Sequence, residues 1–355
     1  MISYQFMEHG KPLQKVMHDT PKPAGTEVLV RVTRSGVCHS DLHIWDGYFE
    51  LGGGKRFYVK DRGCVPPFTL GHEPFGIVED FGPSASRFDK KLKRGQKRIV
   101  FPWIGCGKCA VCKSGQDNYC VSGTRFLGVN RPGAYASHVL VPHPKYLVDS
   151  SGIDDAFAAT LACSGLTTYS ATAKLPELGP KDWVAVIGCG GLGLVCVSVL
   201  RAKGVKNIIA CDIDPAKLTA ATKLGAKLTL DTRAPDAAQK LQALSMGSLA
   251  GAIDLVGMPA TVALGLAALR KGGRVVLCGL YGGELVHPLP PFAQRAIGFI
   301  GSYVGNLQEL KEVVALAKKK KLKPTPVTTR PAGEVTQILE NLKAGKVLGR
   351  VVLAF

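Results

Sequence analysis

The run Trp183-Val-Ala-Val-Ile-Gly188-Cys189-Gly190-Gly191-Leu192-Gly193 constrains the fold more than any other segment. An apolar strand leads straight into a glycine-rich turn, and the turn opens a helix expected over Leu192 to Lys203. Each glycine of Gly188-x-Gly190-Gly191-x-Gly193 has its own physical task. Gly188 permits the tight turn, Gly190 lets a pyrophosphate approach the backbone, and Gly193 lets the helix pack on the sheet. The helix N-terminus then offers free N–H groups and a partial positive charge to phosphates. Asp212 ends the next strand, 24 residues after Gly188, where a carboxylate can accept from both ribose hydroxyls. Its charge repels a 2′-phosphate and favours NAD over NADP, with nearby Lys217 leaving the phosphorylated cofactor as a minor alternative.

The pattern continues downstream. Strands are expected at Asn207–Asp212, 227–230, 252–256, 274–279 and 298–304, alternating with helices at Pro215–Leu224, 236–245 and 261–269. Strands alternating with helices of this length imply a parallel, doubly wound sheet. The first 150 residues read differently. Short β-rich runs at 26–34, 75–81, 97–101 and 136–142 are separated by Gly and Pro, and helical periodicity is scarce. The tail over 306–355 reads as helix, turn, helix and a final strand at 350–355, able to pair back with the first region. Residues 46–66 read as a loop, flanked by Asp46-Gly47 and carrying Gly52-Gly53-Gly54. A chain of 355 residues suggests two domains.

Met1 to Gly10 shows no secretory signal and no stretch is apolar enough to span a bilayer, so a cytoplasmic protein is expected, with no membrane partner. The net charge of +18 gathers in Lys90–Arg98 and Lys318–Lys323. Neither cluster has the interleaved aromatics on which bases stack, so a solvated basic face is expected and no specific nucleic acid.

Eleven cysteines are many. Four fall at Cys106-x2-Cys109-x2-Cys112-x7-Cys120, a spacing that closes a tetrahedral metal shell. An iron–sulfur carrier is the competing reading, but the fourth cysteine comes after seven intervening residues with no proline after it. A looser set surrounds this shell. Gly36-Val37-Cys38-His39-Ser40-Asp41-Leu42-His43 and Gly71-His72-Glu73 precede the four cysteines, and Cys163-Ser-Gly-Leu-Thr167 follows them. Each has a bland reading alone. Together Cys38, His72 and Cys163 supply Cys2His, the open ligand set of catalytic zinc.

In these motifs, with Gly349-Arg350-Val351, the sequence resembles a zinc-dependent medium-chain alcohol dehydrogenase over essentially its whole length. The resemblance implies a Rossmann doubly wound parallel sheet over 161–300 and a mainly β, GroES-like catalytic domain from 1–160 and 301–355. It implies two zinc ions per chain, one catalytic on Cys38, His72 and Cys163 and one structural on Cys106, Cys109, Cys112 and Cys120. Asp41 would orient His72, and Glu73 would sit behind the catalytic zinc. Ser40 would take the proton from the alcohol and His43 would pass it to solvent. His39, Thr167 and Arg350 would join Gly188, Gly190, Gly191, Gly193, Asp212 and Lys217 around NAD(H). Trp45 and Trp103 fall where the family lines its substrate pocket. The implied reaction is reversible hydride transfer between a primary or secondary alcohol and NAD, with a relative tuned to cyclic or aromatic alcohols or polyols as the alternative. The 43 residues from Cys120 to Cys163 resemble the shorter members, which are typically tetrameric, with a dimer as the other option. Cys38 and His72 stand 34 residues apart, and the surplus is the 46–66 segment, expected to border the substrate cleft.

Overall fold

Trp183–Ile187 is a central strand of a six-stranded, wholly parallel sheet in the computed structural model, which describes all 355 residues. In space the strands run Leu228–Asp231, Ile208–Asp212, Trp183–Ile187, Leu249–Asp254, Arg274–Leu277 and Gly298–Gly301. The chain winds outward one way, returns to the centre and winds outward the other way. The reversal lies beside Trp183–Ile187, and there a doubly wound sheet opens a crevice at its carboxyl ends. All five residues of this strand are buried, as helices on both faces require. Alternation sends Val184 and Val186 into one core with Leu194 and Ile208, and Ala185 and Ile187 into another with Ile209 and Leu266.

Local signals set the helices. Pro215 opens the Pro215–Leu224 helix, the Asp214 carboxylate accepts from the Ala216 N–H at 2.8 Å, and Gly225 closes it with φ +116°. Several boundaries differ from expectation, and the strands expected over 274–279 and 298–304 end at Leu277 and Gly301. The strand expected over 252–256 ends at Asp254, whose carboxylate accepts from the N–H groups of Val256 and Gly257 and turns the chain.

The second sheet is mixed and has seven strands. Its path runs Leu147–Asp149, Lys97–Val100, Pro74–Phe81, Val28–Val37, Arg350–Ala354 and Val327–Pro331, with His138–Val141 also paired to Val28–Val37. Arg350–Ala354 lies antiparallel to Val28–Val37, with Val351 opposite Val37. The core beneath this sheet includes Val195 and Val199 from the Gly191–Ala202 helix, so the two halves share packing.

Two features differ from the sequence reading. Residues 46–66 are not an irregular loop. Tyr48–Gly52 and Lys55–Tyr58 form an antiparallel hairpin, followed by one helical turn at Val59–Arg62. Glu50 and Arg56 pair at 2.9 Å across it, and Gly52, Gly53 and Gly54 turn it with φ of +91°, +56° and +75°. Strands this short, joined by glycines, carry no periodicity to read. The small sheet of Ile2–Phe6, Gln14–Met17 and Phe68–Thr69 also had no legible signal.

Candidate active site

Cys38 lies where the long Val28–Val37 strand gives way to the His39–Asp46 helix. His72 and Glu73 lie just before the adjacent Pro74–Phe81 strand. Antiparallel pairing of these two strands therefore brings together residues 34 apart in sequence. Gly36 is needed for that approach, because a Cβ there would collide with the Glu73 side chain. Cys163 arrives from the other half, on a π-helical turn at Leu161–Gly165. Such turns often mark functional positions in helices.

The ligand atoms of Cys38, His72, Glu73 and Cys163 lie within 4.8 Å of one another, and all four residues are buried. His72 Nδ1 sits 3.0 Å from Asp41 Oδ1. Asp41 Oδ2 accepts from the Cys38 N–H at 2.9 Å and from the Tyr135 hydroxyl at 2.8 Å. Asp41 therefore fixes both the first thiol and the imidazole. A carboxylate can only accept, so Nδ1 carries a hydrogen and Nε2 is the ring nitrogen that faces the cluster. Nε2 is buried without a partner, and so is Glu73 Oε2. Orphaned acceptors beside two thiols are costly unless a cation meets them.

The electrostatics point the same way. A hydrogen bond from Cys163, opposed by burial and aided by His72, holds the Cys38 thiol well below its ordinary range. The same contact, with burial, pushes Cys163 up. The two sulfurs share a proton where a divalent ion would bind both. Burial pushes the Glu73 carboxyl up to about 7, although the Arg350 guanidinium bonded to it pulls the other way. Two sulfurs and one imidazole nitrogen are the donors of an open zinc site.

The four-cysteine lobe is the second cluster. The ligand atoms of Cys106, Cys109, Cys112 and Cys120 also lie within 4.8 Å of one another. Backbone amides surround them. Lys108 N–H and Cys109 N–H donate to Cys106 Sγ, Cys112 N–H to Cys109 Sγ, and Cys106 N–H to Cys120 Sγ, at 3.3 to 3.4 Å. Hydrogen bonds to sulfur favour thiolate, and the Cys112 amide leads those that draw Cys109 down to about 6. This donor set fits a closed zinc site.

The glycine turn has the shape of a phosphate cradle. Gly188 adopts φ +87°, and a Cβ on Gly193 would collide with the Gly188 carbonyl. A Cβ on Gly190 would meet nothing within 4 Å, so the space above that residue is open. A Cβ on Gly191 would fall 2.7 Å from Arg350 Cδ, which sets Arg350 between the turn and Glu73. Asp212 Oδ2 accepts from the Cys189 N–H at 2.6 Å and Oδ1 from the Asp214 N–H at 2.9 Å, so the ribose-side carboxylate also shapes the turn. Lys217 Nζ sits 3.8 Å from Asp214, and both Lys217 and Arg350 place positive charge near His39. The Thr167 hydroxyl is buried with no protein partner.

Ser40 and His43 lie three residues apart on the His39–Asp46 helix and so share a face. His43 is half-buried. Burial first, then the neighbouring His39, holds its ring below the ordinary imidazole range. The two tryptophans separate. Trp103 stands with its ring 5.4 Å from that of His72 and donates its indole N–H to the Ala162 carbonyl. Trp45 is packed in the smaller core with Phe6, Leu42 and Leu70, its indole N–H on the Lys11 carbonyl, and is not grouped with Trp103. Sequence reasoning missed Tyr135, which completes the Asp41 carboxylate, and Phe49, whose ring stacks on His43. Nothing in the local sequence marks either one.

A buried Cys2His cluster beside a glycine cradle on a doubly wound sheet defines a metal- and dinucleotide-dependent oxidoreductase. Residues 24–151 match the alcohol dehydrogenase GroES-like domain family, and residues 191–319 match the zinc-binding dehydrogenase family. The chain is 36% identical over 355 residues to an NAD-dependent alcohol dehydrogenase of Sulfurisphaera tokodaii, covering 99% of each chain. It is equally similar, at 36% with the same coverage, to one of Saccharolobus solfataricus. Among solved structures it resembles the alcohol dehydrogenase of Aeropyrum pernix, with a TM-score of 0.89, 32% identity and full coverage of both chains. It also resembles the acetophenone reductase of Geotrichum candidum in complex with NAD, with a TM-score of 0.86, 29% identity, and coverage of 100% of this chain and 97% of that one. The chain belongs to the zinc alcohol dehydrogenases of the medium-chain dehydrogenase/reductase superfamily.

Proposed function

We propose that this protein is an NAD-dependent zinc alcohol dehydrogenase that interconverts primary or secondary alcohols with aldehydes or ketones. One observation carries the reading. The Cys38, His72, Glu73 and Cys163 ligand atoms converge within 4.8 Å, and Arg350 joins Glu73 to the glycine turn. Zinc held by Cys38, His72 and Cys163 would supply Lewis acidity that lowers the pKa of a hydroxyl, and NAD at the glycine turn would supply the hydride acceptor. The remaining roles fall to the chain's own groups. Asp41, completed by Tyr135, holds His72 in the tautomer that presents Nε2. Ser40 receives the alcohol proton and His43 delivers it to solvent. The lowered pKa of His43 keeps its imidazole neutral and able to accept near pH 7. Asp212 and Lys217 hold the adenosine ribose, His39 and Arg350 flank the pyrophosphate, and Thr167 packs near the nicotinamide. Trp103 forms part of the substrate wall.

A second zinc in the four-cysteine lobe gives two per chain. Residues 161–300 form the nucleotide-binding domain, and 1–160 with 301–355 the catalytic one. Gly298–Gly301 is a free sheet edge with Phe299 and Ile300 exposed by 40% and 39%. Such an edge can extend into a second copy, which supports a homo-oligomer, tetrameric by the length of the chain between Cys120 and Cys163. No helix is long and apolar enough to cross a membrane, and a cytoplasmic place is part of the proposal. Several basic side chains are paired, as in Lys97 with Asp155 and Lys318 with Asp149, which supports a solvated surface rather than specific nucleic-acid binding. Likeness to an acetophenone reductase, with Trp103 beside His72, favours bulky or aromatic alcohols as the second reading.

A screen of alcohols, aldehydes and ketones with NAD(H), following absorbance of the reduced nicotinamide, tests the proposal alongside elemental analysis. Turnover with two zinc per chain is expected. Full activity with one equivalent, confined to the cysteine lobe, would refute it.

A further inference from the structure

The hairpin between the two ligand-bearing segments touches both the proton-relay helix and the nucleotide-binding half. On the relay side, Phe49 stacks on His43 with centroids 4.7 Å apart and planes 28° from parallel. Gly47 caps the relay helix with φ +92° and donates its N–H to the His43 carbonyl, so the hairpin starts from the end of the His43 turn. Val59 N–H closes onto the Gly47 carbonyl at 3.0 Å and holds the hairpin's two ends together. Phe49 is backed by Phe57, its cross-strand partner, and Phe57 lies under the Arg62 guanidinium at 4.5 Å. On the far side, the tip meets the loop that follows the Arg274–Leu277 strand. A Cβ on Gly52 would fall 2.8 Å from the Glu284 backbone nitrogen and 2.9 Å from the Gly283 carbonyl carbon. A Cβ on Gly282 would fall 2.9 Å from that of Glu50. Two backbones meet there with room only for glycine.

We propose that Phe49 is the positioning residue for His43, and that the contact of Gly52 with Gly283–Glu284 makes its hold depend on how the nucleotide-binding half sits against the catalytic half. An imidazole on a helix surface can rotate about two side-chain torsions. A ring stacked on one face, with the backing aromatic held by a cation, removes that freedom and shields the ring from water. The inference rests on the proposed relay through His43. It gives the inserted segment a task that a sequence gap alone does not suggest.

The other groups facing His43 are His39, Cys38 and Asp46 on or beside its own helix and Lys343 on the Val335–Lys343 helix. A substitution at Phe49 alters none of these residues, so a change in His43 reports on the stack. The test uses the zinc-loaded enzyme with and without NAD. In Phe49→Leu, which keeps apolar bulk but loses the ring, the His43 titration followed by NMR of ring-labelled histidine should move up toward the ordinary value. The acidic limb of alcohol oxidation should move up with it, and turnover near neutral pH should fall on the order of tenfold. Phe49→Tyr should restore both. NAD affinity should be unchanged in either variant. Gly52→Ala should shift His43 in the same direction, and it serves as the probe should Phe49→Leu fail to fold. An unmoved His43 titration in Phe49→Leu, or in Gly52→Ala, overturns the proposal. His43→Gln judges the relay separately. If it keeps the wild-type acidic limb, the relay reading fails, while the NMR titration still decides whether Phe49 positions the ring.

Discussion

The two cysteine-bearing clusters use the same element of chemistry in opposite ways. The lobe draws its four thiols from one short stretch, Cys106 to Cys120, and quiets them with backbone amides. The Cys38 cluster draws its ligands from three separate stretches and leaves His72 Nε2 and Glu73 Oε2 unpaired in a buried space. Four sulfurs already make a full tetrahedral shell. Two sulfurs and a nitrogen leave a position open, and the carboxylate behind them is held back by Arg350. On the proposed reading, the contrast sets an open shell in the Cys38 cluster against a closed one in the lobe.

That contrast can be broken by experiment. The largest effect is expected from Cys38→Ala, which should abolish turnover, remove one zinc equivalent and leave NAD binding nearly intact, as read by metal analysis and fluorescence titration. Near-normal rates would sink the open-site assignment. Asp41→Asn should cost about 10–100-fold in metal affinity or activity, because it loosens His72, Cys38 and Tyr135 together. Tyr135→Phe removes only one of those bonds and should cost less, measured by zinc competition with a chelator. Asp212→Gly should weaken NAD on the order of tenfold, the worth of one charge-assisted hydrogen bond, and relax exclusion of NADP. An unchanged cofactor preference would show that Asp212 serves only the turn. Smallest in turnover is Cys109→Ser. It should lower the melting temperature and zinc content of the lobe while the folded fraction keeps rates within about twofold of wild type, since structural metal sites contribute folding energy. A large loss of rate in fully folded Cys109→Ser enzyme would erase the distinction between the two clusters.

The same contrast explains what the sequence disclosed. The nucleotide-binding sheet was legible because each unit is local. An apolar strand, a glycine or proline start and a helix follow one another, and Trp183–Ile187 into Gly191–Ala202 shows all three. The cysteine lobe was legible for the same reason. Cys38, His72 and Cys163 could be grouped by residue type and resemblance, but their convergence could not be derived, since no periodicity says that Val28–Val37 pairs with Pro74–Phe81. Tyr135 was invisible because its hydroxyl matters only after folding brings it to Asp41, 94 residues away. The hairpin reads as a loop in sequence because its order depends on Phe49 meeting His43 and Gly52 meeting Glu284, contacts no short window contains. Trp45 shows the reverse failing. It falls where the resemblance implies a substrate pocket, but the helix turns it toward Phe6 and Leu70.

The pairing of Arg350–Ala354 with Val28–Val37 has a consequence for biosynthesis. Only the Arg34–Val37 end of the long strand, which leads into Cys38, stays unpaired on that side until the ribosome has made the entire nucleotide-binding segment, because His138–Val141 already pairs with Val28–Arg31. The contiguous parallel sheet can mature during translation, whereas the catalytic half waits for a late-emerging partner. A nascent chain stalled before Arg350 would thus expose a raw β edge next to the Cys38 thiol.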